Sequence, residues 1–245
     1  MKTRKLQLIS CLAVFALAAC SRPKPGSASV LLFCGTGTSQ GSVKAIEAVL
    51  KDRHLSYATV DSGQLNAMSA AELSAYRLLI VPGGNYITIG ESLKPETCTK
   101  VNKAVQGGVN YLGICAGGLL AGHPPSNSFD LASGVHFGFY AVVSQGIHKT
   151  AVTVSGADGT ALQHYWEDGP QFTGWGEVVG RYPDYTPAIV EGRSGSGWVI
   201  LCGVHPEAQE NWRRGMSFTT PASEANAYAG KLIEAALGGT SLPHD

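Results

Sequence analysis

The first half of the chain alternates short apolar runs with amphipathic segments, and this alternation limits the possible folds more than any other feature. The apolar runs have the length of buried β-strands and lie at residues 29–33, 57–60, 78–81 and 109–114. The segments between them have helical spacing and lie at residues 42–53, 69–76 and 95–106. Strands that alternate with helices form a parallel sheet through right-handed crossovers, with helices on both faces.

The second half of the chain is rich in short strand-like runs. They are separated by turns that contain Gly and Pro and lie at residues 137–144, 151–154, 177–182, 188–191 and 198–202. An amphipathic helix is predicted at residues 223–237. We therefore expect an α/β three-layer sandwich with a mostly parallel, flavodoxin-like central sheet and an antiparallel extension. The sequence has no internal repeat and no second linker, which favours one domain over residues 29–238.

The N-terminus has the pattern of an export signal. Three of the first five residues are basic, and residues 6–19 form an apolar stretch that is too short to span a bilayer comfortably. Residues 17–20 (LAAC) resemble the lipobox of bacterial lipoproteins, in which the signal is cut before the cysteine and that cysteine is lipidated. The alternative is an ordinary signal peptide with an unrelated cysteine. Residues 21–27 (SRPKPGS) have the composition of a tether, which favours the lipobox.

These features predict where the protein resides and how it is organised. Residues 1–19 are the predicted signal peptide, and residues 20–28 contain the lipidated Cys20 and the linker. We expect a protein anchored by its lipid in the bacterial cell envelope and facing the periplasm. The residue after Cys20 is Ser21 rather than Asp, which in enteric-type sorting implies the outer membrane. The one long apolar run excludes a membrane protein with several spans.

Charge and cysteine content exclude two classes of partner. The sequence has 18 Lys and Arg against 18 Asp and Glu, and this balance argues against nucleic acid as a ligand. Beyond residue 20 the cysteines are Cys34, Cys98, Cys115 and Cys202, whose spacing fits no zinc motif. We expect buried thiols and one functional thiol, although two disulfides would suit an oxidising compartment. No metal and no other cofactor is expected, and no protein partner is identified.

A glycine-rich turn after the fourth strand predicts a nucleophile. Residues 113–118 (GICAGG) lead from a strand into a helix, and Cys115 lies at the sharp turn among small neighbours. A helix that begins just after the thiol favours the thiolate. Taken alone, the pattern is weak, because a glycine-rich turn with an incidental cysteine is common.

Two further motifs follow other predicted strands. His205 and Glu207 come directly after residues 198–202, so the imidazole can reach a nucleophile on a neighbouring strand while the carboxylate holds its second nitrogen. Gly83 and Gly84 follow residues 78–81, where backbone N–H groups can approach a reacting carbonyl. Because ligands bind at the carboxyl ends of strands in open α/β sheets, the three motifs together predict one site.

Together the motifs resemble the class I glutamine amidotransferase-like superfamily, in which a G-x-C-x-G elbow is followed roughly ninety residues later by an H-P-E motif. More narrowly, residues 81–84 (VPGG), 111–118 (YLGICAGG) and 164–172 (HYWEDGPQF) resemble the biotin-protein ligase N-terminal domain family. The last segment departs from the Tyr-Asn-Gly-Gly type expected in that family. The resemblance covers most of residues 29–237, and no motif for ATP or biotin is recognisable, so biotin ligation is not expected.

The resemblance implies a reaction and the residues that perform it. Cys115 would be the nucleophile, His205 the general base and acid, and Glu207 the residue that orients His205. The reaction would be attack on an amide or γ-glutamyl-type bond of a small molecule or peptide, with a thioester intermediate. The alternatives are a catalytically idle domain that binds a ligand or partner and, more remotely, a subunit that supplies ammonia to a separate enzyme.

The resemblance also implies the residues around the reacting carbonyl. The N–H group of Ala116, together with that of Gly83 or Gly84, would form the oxyanion hole. Tyr165 and Gly169, in the segment of residues 164–172, would contact the substrate.

Three other patterns are weaker. Residues 35–41 with Asp61 fit a dinucleotide-binding turn loosely, but a turn at the pocket rim is the preferred interpretation. The scattered histidines His123, His136, His148 and His164 form no metal motif. Residues 212–214 (WRR) could bind a carboxylate, although a solvated surface pair is preferred.

Overall fold

The structure is a computed structural model that describes residues 28–122, 127–140 and 148–245. The first half of the chain forms β1 (Val30–Phe33), α1 (Gln40–Asp52), β2 (Tyr57–Val60), α2 (Ser62–Ala67), α3 (Ala70–Ser74), β3 (Leu78–Val81), α4 (Tyr86–Ser92), α5 (Pro95–Gln106), β4 (Asn110–Ile114) and α6 (Ala116–Leu119). The second half forms β5 (His136–Phe139), β6 (Lys149–Gly156), β7 (Ala161–Glu167), β8 (Pro170–Thr173), β9 (Glu177–Arg181), β10 (Pro187–Ser194), β11 (Gly197–Cys202) and α7 (Ala222–Gly238).

The predicted signal peptide, Cys20 and residues 21–27 of the linker lie outside the described residues. In the part of the chain that is described, no helix combines the length and the apolar character that crossing a bilayer requires.

Most of the strands join in one large mixed sheet. Within the described residues this sheet has nine strands in the order β2-β1-β3-β4-β11-β10-β9-β6-β7. The pairs from β2 to β11 are parallel, and those from β11 to β7 are antiparallel. This confirms the predicted α/β fold with a parallel core and an antiparallel extension.

The two faces of the sheet are covered by different helices. Neighbouring strand residues alternate between the faces, so Leu32 lies with α1 and α7 while Leu31 lies with α5. All four residues of β3 are buried, which fits a strand with helices on both sides. The result is the expected three-layer sandwich.

Local signals in the sequence explain where several helices begin. The predicted capping box is present at α3, where the hydroxyl of Ser69 accepts from Glu72 N and the carboxylate of Glu72 accepts from Ser69 N. Asp61 caps α2 in the same way through Gln64. Ser39 accepts from Ser42 N at the start of α1.

The sequence analysis missed four elements and placed one incorrectly. The missed elements are α2, α4, β7 and β8. The strand predicted over residues 137–144 is observed only as β5, while residues 141–144 lie outside the described chain. Strand β5 pairs with β8 in a separate two-stranded sheet rather than extending the main one. This small sheet places the turn between β7 and β8 near the carboxyl end of β4.

Candidate active site

Cys115 occupies a strained turn between β4 and α6. Its backbone has φ 51° and ψ −106°, a conformation that L-residues rarely adopt. A Cβ on Gly117 would overlap the carbonyl oxygen of Val81, so the turn can pass this close to β3 only with glycine at that position. The backbone N–H of Cys115 donates to the carbonyl oxygen of Cys202 at 2.7 Å, which fixes the turn to β11.

His205 reaches this turn from the adjacent strand. Strands β4 and β11 are parallel neighbours, and His205 follows β11. Its backbone N–H donates to the carbonyl oxygen of Tyr165 at 2.8 Å, and its side chain is buried. A Cβ on Gly83 would overlap the imidazole at Cε1, so glycine there gives the ring its space.

Glu207 holds the imidazole from behind. Nδ1 of His205 donates to Oε1 of Glu207 at 2.8 Å, and the carboxylate is completely buried. The hydroxyl of Ser42, in the first turn of α1, donates to the same oxygen at 2.8 Å. Oε2 of Glu207 is buried without a hydrogen-bond partner in the described structure. The carboxylate is therefore oriented by two donors on a single oxygen.

The electrostatics favour a charged imidazole beside the sulfur. Burial alone would lower the pKa of His205, but the charges of Glu207 and Cys115 and hydrogen bonds to both side chains raise it well above its ordinary value. The ring of His205 thus lies where the side chains of both Cys115 and Glu207 act on its pKa, with Nδ1 bonded to Oε1 of Glu207, while Sγ of Cys115 donates to the carbonyl oxygen of Glu167 at 3.7 Å. The imidazole is therefore placed to donate and accept protons beside the sulfur.

The predicted oxyanion hole needs one correction. The N–H group of Gly83 donates to the hydroxyl of Ser42 at 3.2 Å, so it is occupied in holding the residue that orients Glu207. Gly84 and Ala116, in contrast, both line the pocket that contains Cys115. Among the described backbone hydrogen bonds, neither of these two N–H groups is a donor. Gly84 and Ala116 are therefore the pair that remains available.

The sulfur opens into a pocket of about 440 Å³ at the carboxyl edge of the sheet. The lining residues come from loops that follow several strands: Ser39, Gly84, Asn85, Tyr86, Ile87, Cys115, Ala116, Leu119, Phe139, Glu167, Asp168, His205 and Trp212. Trp212 packs edge-on against His205, with ring centroids 5.7 Å apart. The site is thus a concave pocket with a thiol and an imidazole on its wall.

The two predicted substrate contacts lie elsewhere. Tyr165 is buried behind His205, with ring centroids 5.8 Å apart, and its hydroxyl donates to Oε2 of Glu167 at 2.6 Å. Gly169 is buried, and its carbonyl oxygen accepts from Nε1 of Trp166 at 3.0 Å. The same segment instead contributes Glu167 and Asp168 to the pocket. Neither Tyr165 nor Gly169 therefore lines the pocket, and their contact with a substrate stays a prediction.

The weaker motifs have structural roles. Asp61 caps α2 and does not line the pocket, whereas Ser39, next to the glycine-rich turn, does. Arg213 is buried rather than solvated, and its guanidinium donates to the carbonyl oxygen of Thr220 at 2.7 Å. Burial lowers the pKa of His164 to about 3, so this side chain is neutral.

The thiols and the histidines form no further site in the described residues. Cys98, Cys115 and Cys202 are buried thiols, and burial raises the pKa of Cys98 to about 11. No group of His, Cys, Asp and Glu among the described residues could hold a metal ion. His123 lies outside the described chain.

Comparison with solved structures identifies the fold. A glutamine amidotransferase from Thermotoga maritima superposes with a TM-score of 0.52 at 16% identity, over 85% of each chain. A protein described as a GMP synthase component from Thermoplasma acidophilum has a TM-score of 0.52 at 14% identity, over 85% of this chain and 92% of its own. The fold is glutamine amidotransferase-like. A β-galactosidase from Bacillus circulans sp. alkalophilus also superposes, with a TM-score of 0.54 at 14% identity, over 88% of this chain and 32% of its own.

Sequence comparison gives the narrower relationship. Residues 28–130 match the family described as biotin-protein ligase, N terminal. The curated biotin–protein ligase of Schizosaccharomyces pombe is 26% identical over 159 residues, which cover 53% of this chain. The aligned stretch is only 25% of that ligase. The resemblance to the biotin-protein ligase N-terminal family is thus confirmed for residues 28–130, which are less than half of the chain.

Proposed function

We propose that this amidotransferase-like domain is a cysteine-dependent amide hydrolase. The observation that carries the proposal is the arrangement of Cys115, His205 and Glu207, with the cysteine in a strained turn and its partners buried. A structural cysteine needs neither a positive φ nor a charged imidazole beside it.

The first half of the reaction forms a thioester. The thiolate of Cys115 attacks the carbonyl carbon of the amide, and the new C–S bond gives a tetrahedral oxyanion. The N–H groups of Gly84 and Ala116 supply the hydrogen bonds for that oxygen. His205 then donates the proton on its second ring nitrogen to the leaving amine, and the C–N bond breaks.

The second half returns the enzyme to its starting state. Water attacks the thioester carbon while neutral His205 accepts its proton, and the C–S bond breaks to release the acid. Glu207 keeps Nδ1 of His205 protonated throughout, so the other nitrogen carries the proton that moves. Ser42 supports this by holding Glu207 Oε1 in position.

Covalent labelling tests the nucleophile without knowledge of the natural substrate. The full-length protein is exposed to iodoacetamide and to 6-diazo-5-oxo-L-norleucine, an electrophilic glutamine analogue, and its intact mass is measured over time. We expect a single fast adduct that maps to Cys115 and is lost in Cys115→Ala. His205→Ala should slow this labelling about 10²-fold.

A matched control separates a nucleophile from an accessible thiol. Cys34 is half-buried and lies at the end of β1, outside the pocket lining, so Cys34→Ala should keep the fast adduct. Labelling of Cys115 that is no faster than that of Cys34 would rule out the hydrolase. It would leave a domain that binds a ligand or partner.

We further propose that this chemistry takes place at the bacterial cell envelope. The support is the lipobox pattern around Cys20 and the tether that follows it, both read from the sequence. A small-molecule or peptide amide on the periplasmic side is then the substrate class.

A further inference from the structure

Two acidic residues line the pocket around Cys115. Glu167 and Asp168 both line it, and no lysine or arginine does so among the described residues. When an imidazolium faces a thiolate, the charges of His205 and Cys115 cancel, and the buried carboxylate of Glu207 leaves the three residues with no net positive charge. The carboxylates therefore set the sign of the electrostatic potential that a substrate meets.

The two carboxylates are not equivalent. Glu167 is held by Oε2, which accepts from the hydroxyl of Tyr165, and by Oε1, which lies 3.4 Å from Nζ of Lys149. Asp168 accepts from the backbone N–H of His148 at 3.2 Å. No lysine or arginine in the described chain forms a salt bridge with Asp168. Most of the uncompensated negative charge thus belongs to Asp168.

The turn of the chain fixes the position of Asp168. It lies between β7 and β8 with a positive φ of 44°, a conformation that Asp and Asn tolerate better than most residues. The carbonyl oxygen of Glu167, one residue earlier, accepts from Sγ of Cys115 at 3.7 Å. The backbone of the residue before Asp168 is therefore in contact with the sulfur.

The rim of the same pocket is apolar. Ile87 is 41% exposed and Phe139 is 58% exposed, and both line the pocket. Large apolar side chains that remain exposed at the mouth of a pocket favour ligands with an apolar portion. The apolar rim thus favours an apolar part of a ligand, and the acidic residues favour a positively charged part of the same ligand.

We propose that the Cys115 pocket selects amides whose acyl part carries an ammonium or guanidinium group, with Asp168 as the specificity-determining residue. The inference rests on the proposed hydrolase function and adds the charge of its substrate. The cationic group pairs with Asp168 while the aliphatic or aromatic part of the ligand lies against Ile87 and Phe139. An anionic acyl group is disfavoured by the same carboxylates.

Charged thiol reagents measure this selectivity directly. The full-length protein reacts with 2-(trimethylammonium)ethyl methanethiosulfonate, a cation, and with 2-sulfonatoethyl methanethiosulfonate, an anion. In each case the thiolate attacks the reagent's sulfenyl sulfur, a mixed disulfide forms, and methanesulfinate leaves. Peptide mapping measures the modification of Cys115 alone. The rate constant for the cationic reagent is divided by that for the anionic reagent, and this ratio is compared with the same ratio for the free thiol 2-mercaptoethanol.

We expect the ratio of cation to anion rates at Cys115 to exceed that of 2-mercaptoethanol by about tenfold at low salt. Asp168→Asn, which suits the positive φ, should remove most of this excess, and Glu167→Gln should remove less. The control Asp184→Asn changes an exposed acid in the turn after β9 and should leave the ratio unchanged. Added NaCl should lower the ratio in the wild type, which tests the charge effect without any variant.

Two negative results have different meanings. A Cys115 that reacts rapidly with both reagents at the ratio of 2-mercaptoethanol would overturn the inference and leave the hydrolase intact. A Cys115 that reacts with neither reagent, nor with iodoacetamide, would overturn the hydrolase and the inference with it.

Discussion

The buried carboxylate of Glu207 is the most demanding residue of the site. A charge that is removed from water is tolerated only where close partners compensate it, and here the imidazole of His205 and the hydroxyl of Ser42 do so. The free lone pairs of Oε2 receive no such compensation in the described structure. The pair is therefore costly to bury, which fits a residue kept for the proton chemistry of its partner.

Replacing Glu207 by Gln should make the stability of the fold less dependent on pH. The pKa of His205 is raised in the folded state, so its stabilising contribution is complete below its unfolded pKa of about 6.5 and is lost as pH rises through the folded value. Without the carboxylate the pKa rises less. We expect a destabilisation of about 1–3 kcal/mol at pH 6 that shrinks at higher pH, measured by urea unfolding from pH 6 to 10. A constant difference would contradict the ion pair.

At the residue level the sequence predicted the motifs but not their partners. The spacing of His205 and Glu207 and the elbow at Cys115 were readable because each lies within a few positions of a predicted strand end. The role of Ser42 could not be predicted, because Ser42 contacts Glu207 from helix α1, which is far away in the sequence. For the same reason the sequence left Gly83 and Gly84 as alternatives, since the hydroxyl of Ser42 accepts from the N–H of Gly83.

The turn between β4 and α6 depends on contacts that tolerate no added volume. The backbone at Gly117 lies against the carbonyl oxygen of Val81 in β3, and the hydroxyl of Tyr111 donates to the carbonyl oxygen of Gly117 at 2.7 Å. The strain at Cys115 persists because neighbouring elements hold both ends of the turn.

Adding one methyl group at Gly117 should show whether the turn between β4 and α6 is more tightly constrained than an ordinary helix start. Gly117→Ala forces a Cβ into the backbone of β3, and we expect a loss of about 1–3 kcal/mol together with slower labelling of Cys115. In the matched variant Gly122→Ala the nearest atom to the new Cβ is 3.5 Å away, so stability and labelling should hardly change. Thermal unfolding and iodoacetamide kinetics report the two effects. Equal losses of stability and labelling rate in both variants would show that the turn at Gly117 is no more tightly packed than the backbone at Gly122.

At the element level the parallel core was predictable and the loops around the pocket were not. The strands β2 and β3 and the helix α5 match their predicted bounds, because their buried runs and helical spacing are strong local signals. Helix α4 was missed because its first residues, Tyr86 and Ile87, favour strands, while the cap at Asn85 overrides that preference. Strand β7 was missed because its alternation is interrupted by a run of buried residues, 164–166.

The whole molecule joins an amidotransferase-like domain to an N-terminus that has the pattern of a lipoprotein signal. The fold class and the sheet could be predicted from the sequence because they depend on its long-range pattern of strands and helices. The depth and charge of the pocket did not, since they arise where turns after β3, β4, β7 and β11 meet.

Substitution of Cys20 should release the protein from the membrane. If the lipobox is used, the wild type carries lipid on Cys20, loses residues 1–19 and partitions into detergent, because two or more acyl chains anchor a protein stably. Cys20→Ala should abolish processing and lipid labelling, as measured by metabolic incorporation of palmitate and by mass spectrometry. Cys11→Ala, a cysteine within the apolar stretch, is the control. A wild type that is secreted without lipid would contradict the prediction.

The thiol and the imidazole lie on adjacent strands, β4 and β11, that are separated by most of the second half of the chain. A nascent polypeptide therefore holds an ordinary cysteine until its last strand inserts between β4 and β10. Reactivity would be acquired only at the end of folding, so the incomplete chain cannot attack the machinery that makes it.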